Sequence, residues 1–146
     1  MAIKKGLDCK LFRGTAGSAA TTLMKNVKDV TLNLETSEAD ITTRAANGWK
    51  QTAPTLKDGT LEFEMLKDPD DADFSTFNQA FFSNTALSMF ISDGSGNGVE
   101  GDFVITNFSE EEPLEEAVSV KVTMKPTNIG GSSGRAPAYV TGGATA

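Results

Sequence analysis

Histidine is absent from this 146-residue chain, and cysteine, tryptophan and tyrosine occur once each. Without histidine there is no common general base, no usual metal ligand and no histidine-dependent triad. A single cysteine, Cys9, excludes an internal disulfide and a cysteine-built zinc site. It stands between Leu7 and Leu11 in an alternating pattern, so it is expected as a small buried hydrophobe. No apolar run approaches the roughly 20 residues of a membrane-spanning helix. The opening MAIKKGLDCKLF lacks the apolar stretch of a secretory signal, so synthesis in the cytosol and no membrane partner are expected. Positive charge is also scarce: 13 Lys and Arg stand against 20 Asp and Glu, a formal charge of −7. That argues against a protein that grips nucleic acid, since affinity for phosphates comes mainly from Lys and Arg. It is compatible with a surface past which nucleic acid slides, where repulsion is useful.

What is present is strand-like alternation. Val30, Leu32 and Leu34 alternate with Thr31, Asn33 and Glu35. Leu61, Phe63 and Met65 alternate with Glu62 and Glu64. Further sets are Leu87, Met89 and Ile91, then Phe103 and Ile105, then Val118, Val120, Val122 and Met124. A period of two marks strands with one buried face. The intervals are too short for crossover helices, so an antiparallel β-sandwich or barrel is expected. One stretch breaks the rhythm. Phe74, Phe77 and Phe81 form the stripe of a single flanking helix within 68–85. Asp70 or Asp71 is placed to cap it, and Asn84 to stop it.

Most local motifs have ordinary explanations. GSGNG at 94–98 lacks the Lys-Ser/Thr ending of a phosphate loop and is read as a turn. DPDDAD at 68–73 lacks the central glycine and final glutamate of a calcium loop, and helix capping accounts for it. The acids Glu110, Glu111, Glu112, Glu115 and Glu116 form either a solvated loop between strands or an acidic surface set against a partner. No catalytic constellation is found, and no cofactor or metal is expected. Residues 1–127 are read as one β domain, and 128–146 as a Gly/Ala-rich extension with too little apolar surface to order alone.

The segment DITTRAANGWKQTAPTLKDGTLEFEM, residues 40–65, holds more chain than a hairpin turn needs. Asn47-Gly48, Pro54 and Asp58-Gly59 are turn formers, so an arm is expected over 42–58. It carries Arg44, Trp49, Lys50 and Lys57. Trp and Arg are enriched in interface hot spots. The tryptophan either folds back as a lid on the core or belongs to an interface.

The arm residues Asp40, Ile41, Thr42, Arg44, Gly48, Trp49, Leu56, Lys57, Asp58 and Gly59 resemble those of the major tail tube protein of long-tailed bacteriophages and related prophages. So does the closing run, with acids at 110–116, Ala117, a β-run over Val118–Met124 and then Lys125-Pro126-Thr127. The likeness covers about residues 5–127. It implies a small β-sandwich or barrel with one helix, six copies per ring joined edge to edge, and rings stacked as a hollow tube for DNA. It implies stacking by the arm, and a place in the virion tail after assembly in the host bacterial cytoplasm. Tape measure, tail terminator and distal tail proteins would be partners, and DNA would pass without specific binding. On this reading the arm meets either Asp68, Asp70, Asp71 and Asp73 or the acids at 110–116 on the next ring, and Glu62 and Glu64 face the lumen. Alternatives are a type VI secretion-like tube, a capsid decoration protein, an adhesin, or a carboxylate hydrolase on a β scaffold.

Overall fold

The computed structural model describes residues 9–68, 70–112, 114, 117–127 and 137–143. Strands run in the order β1 Lys10–Thr15, β2 Thr22–Leu23, β3 Val27–Asp40, β4 Thr52–Leu66, then α1 Ala72–Ser83. They continue as β5 Leu87–Ser92, β6 Gly98–Glu111, β7 Ser119–Pro126 and β8 Ala138–Val140. All join one antiparallel sheet in the order β2-β1-β5-β6-β7-β4-β3, with β8 added to β6. The sheet curls, because β1, β4, β5, β6 and β7 all send side chains into one core: Leu11, Leu61, Phe63, Met65, Met89, Phe103, Val120, Val122 and Met124.

The alternating residues explain which face is dry. Leu61, Phe63 and Met65 are buried, and the register sets them beside Met124, Val122 and Val120. The helix closes the core over this face. Asp71 caps it by accepting the Asp73 N–H, and Asn84 ends it in the left-handed conformation. Phe77 is fully buried and meets Phe63 edge to face at 5.2 Å, while half-buried Phe74 and Phe81 pack on Phe108. On the opposite face of β1 and β5, Phe12 and Phe90 form a second, smaller cluster with Ala20.

Three expectations are corrected. Cys9 is exposed, because it precedes β1 instead of lying inside it; Leu7 lies outside the described residues. Pro54 and Asp58-Gly59 are not turns but residues of β4, opposite Glu38, Glu35 and Leu34. Here β4 has a neighbour on one side only among the described residues, where a proline can direct its missing N–H outward. A Cβ on Gly59 would stand 3.0 Å from Leu34 Cδ2, the end of an exposed side chain that a small shift would move aside, and in ordinary contact with Pro126. Thirdly, the C-terminal extension is not structureless throughout: Ala138–Val140 pairs with Gly98–Glu100. The rest of that extension, 128–136 and 144–146, lies outside the described residues.

Candidate assembly surfaces

The arm is a two-stranded ribbon. Strands β3 and β4 stay paired from Val27↔Met65 to Asp40↔Thr52, beyond the last partner of β4 on its other side, Leu61↔Met124. At about 3.4 Å per residue, the stretch from Leu61 to Thr52 carries the ribbon roughly 30 Å beyond that last pair, before its turn. The tip is built, not slack. The Thr42 N–H donates to Asp40 Oδ1 at 2.9 Å, and the Gln51 N–H donates to Thr42 Oγ1 at 2.8 Å. Hydrogen bonds from Thr42 to this carboxylate, first from its side chain and then from its N–H, hold Asp40 below its ordinary value. A single 3-10 turn, Arg44–Ala46, is followed by Asn47 at φ 52° and Gly48 at φ 85°, which aim the chain back toward Gln51.

Arg44, Asn47, Gly48, Lys50, Pro54 and Lys57 are exposed, and Trp49 is 77% exposed. Trp49 is therefore no lid on the core. Leu56 at 79% and Ile41 at 52% accompany it, so the arm carries apolar surface that the subunit does not cover.

The candidate acids divide by environment. Asp73 is buried against Arg13 and accepts the Lys25 N–H, so it is internal and no partner surface. Asp71 is occupied by the helix cap and by Asn26. Glu110 pairs with Lys67, whose ammonium that bond holds above its ordinary value, and Glu111 lies 3.7 Å from Lys121. Asp68, Asp70 and Glu112 remain exposed, with no cation within ion-pair distance among the described residues. They sit at the end of the body away from the arm tip, because β4 runs from the tip at Thr52 to Leu66 beside them. Glu115 and Glu116 lie outside the described residues.

Glu62 and Glu64 share the polar face of β3, β4, β7 and the second half of β6. Lys28, Glu64, Lys121 and Ser109 form one cross-strand row, and Thr31, Glu62, Thr123 and Asn107 the next. Glu64 thus stands between two lysines, whereas Glu62 has threonines on both sides.

Edge-to-edge joining was expected, but not which strands carry the edges. Strand β5 pairs with β6 only as far as Phe103, so among the described residues nothing pairs with that edge of β6 from Val104 to Glu111. The outer edge of β3 is open in the same sense. Three antiparallel steps separate these edges, so the two strands run in opposite directions. Bulges flank a regular run on β3 at 31–36, and Asp29 in the first bulge has φ 49°. Bulges of this kind blunt an edge against indiscriminate pairing.

An arm, two open edges and a polar sheet face are features of a subunit made to polymerise. The sequence profile of phage tail tube proteins matches residues 9–127. The chain belongs to the phage tail tube protein family. This tail tube subunit is similar in fold to the tail of an empty gene transfer agent particle refined with C6 symmetry, at TM-score 0.75 and 16% identity, over 95% of this chain and 100% of that one. It is likewise similar to a chain of the native gene transfer agent virion, at TM-score 0.73 and 14% identity, covering 95% and 100%. The SPP1 tail tube gives TM-score 0.70 and 11% identity, over 99% of this chain and 81% of that one. Among curated protein sequences none matches significantly. The tail tube subunit is a structural component of the virion, and its mostly antiparallel β fold with one helix is that of its neighbours.

Proposed function

We propose that six copies close a ring by pairing the open edge of β6, over Asn107–Glu111, with the 31–36 run of β3 on the next copy. Opposed strand directions support this, because each new contact continues the antiparallel alternation. Heterologous contacts that close need no self-complementary patch. The C6 tail of the gene transfer agent supplies the ring number. Four strands per copy then give a barrel of roughly 24 strands, roughly 40 Å across at the backbone.

Rings stack through the arm. Its tip carries Arg44 and Lys50 and no acid between Ile41 and Gln51, while Asp68 and Asp70 lie at the far end of the body. Opposite charges at opposite ends match head-to-tail growth, and Trp49 and Leu56 supply the apolar contact. The polar face with Glu62 and Glu64 lines the channel. Its threonines, serine and balanced charges offer DNA no cationic track, so DNA passes without specific binding. The tube carries no turnover chemistry. It works in the virion tail after assembly in the host cytoplasm, with tape measure, terminator and distal tail proteins at its ends.

The observation that carries this reading is the pair of open, oppositely directed edges on one polar-faced half-sheet. Electron microscopy of the concentrated chain is the test, beside a variant shortened between Ala46 and Pro54. The full chain is expected to give long tubes and the shortened chain rings or short stacks. Long tubes from both contradict the stacking role; solitary subunits from both contradict the tube.

A further inference from the structure

Beside the first residues of β3 lies a cleft of about 720 Å³ that the described residues leave open. Leu23, Met24 and Val30 contribute to its apolar lining, and Lys10, Lys25 and Lys28 to its charged rim. Among the described residues Asp29 is the one acid on this lining, against three lysines. Elsewhere on the same subunit, the turn after β6 presents the reverse chemistry. Leu114 is 100% exposed, and exposed Glu112 stands two residues before it.

Register connects the two. If Asn107–Glu111 pairs antiparallel with the 31–36 run, Glu111 falls near Thr31. The chain beyond Glu111 then continues alongside Val30, Asp29 and Lys28, at the mouth of the cleft. We propose that Leu114 of one copy inserts into this cleft on its ring neighbour, with Glu112 set against the Lys25 and Lys28 ammonium groups. The occupant is a second copy of this chain, selected by charge complementarity and by continuity with the strand pairing. The inference rests on the ring closure proposed above and adds a lock to it. Backbone pairing alone tolerates slippage by two residues, whereas a leucine in a pocket fixes one register. It also explains why a fully exposed leucine sits amid glutamates: solvation keeps the single subunit soluble, and burial follows on closure.

Cys9, the only cysteine, lines the same cleft and is exposed. This permits a direct test on assembled tubes. Leu114→Cys is treated with a short bismaleimide, and the products are separated on a denaturing gel. A ladder reaching six chains is expected, and it should vanish when Cys9→Ser is added. Tubes that form normally but give no ladder overturn the lock while leaving the tube intact. An unaltered chain that never forms rings overturns both. Because Leu114→Cys can impair assembly, charge exchange provides an independent arm. Lys25→Glu and Glu112→Lys should each raise the concentration needed for ring formation roughly fivefold, and the double variant should recover most of that loss. Additive losses in the double variant overturn the proposal.

Discussion

Replacing Trp49 with alanine separates the stability of the subunit from the stability of the tube. A tryptophan side chain offers up to about 250 Å² of surface. With 77% of Trp49 exposed on the isolated subunit, roughly 60 Å² is covered on folding and roughly 190 Å² is left for a partner. At about 25 cal/mol per Å², the covered part is worth at most about 1.5 kcal/mol to folding. The open part is worth at most about 5 kcal/mol on assembly, before the cost of ordering the tip is subtracted. The tip is already ordered by the Asp40–Thr42–Gln51 bonds, which keeps that subtraction small. A net loss of about 2–3 kcal/mol per contact, ordinary for a tryptophan hot spot, raises the critical concentration for tube growth roughly thirtyfold or more. Pelleting across a concentration series reads that number. Thermal melting below the critical concentration reads the other, and a fall of no more than about 6 °C is expected. A fall beyond about 10 °C with an unchanged critical concentration would refute the reasoning, since it would place Trp49 in the fold of the subunit.

Three further outcomes test the fold beneath the surfaces. Phe77→Ala removes a fully buried ring packed on Phe63 and should cost about 3–5 kcal/mol in urea unfolding of the dilute subunit. Arg13→Met leaves the buried Asp73 carboxylate without its cation, and about 3 kcal/mol should be lost in the same assay. Asp40 has a depressed carboxyl, so its contribution to the tip is present above the ordinary value of 3.8 and lost as pH falls through the lower folded value. Trp49 fluorescence should therefore hold steady on acidification to that ordinary value and change only below it, and Asp40→Asn should abolish the late transition.

The parts of the fold that were legible in the sequence are those written in local periodicity. Leu61, Phe63 and Met65 advertise a one-sided strand, and Asp71, Phe77 and Asn84 advertise a capped helix with an inward stripe. The second strand of the arm was hidden because Pro54 and Asp58-Gly59 carry turn chemistry. A ribbon edge with no partner among the described residues tolerates them. Strands β2 and β8, of two and three residues, are too short to leave a period. Asp73 was expected in an acidic surface for the arm, because its partner Arg13 lies 60 residues away. The open edges were illegible for a related reason. A strand's sequence does not say where its neighbour stops, and β6 is half bare only because β5 pairs no further than Leu87↔Phe103.

The β3 edge also limits the pairings open to the single subunit. Bulges at Lys28/Thr31 and Thr36/Glu38 leave β3 only a short regular run. A short, framed edge lowers promiscuous pairing yet still accepts one strand of matching length. Specificity then falls to side chains at the ends of that run, which is where the lysine-rimmed cleft lies.

A reconstruction of the assembled chain at side-chain detail tests the central claim most directly. Sixfold rings are expected in which Asn107–Glu111 of each copy hydrogen-bonds to the 31–36 run of the next, with every arm tip resting on the adjacent ring. Rings joined through other edges, or a β3 border covered by its own chain, would contradict it.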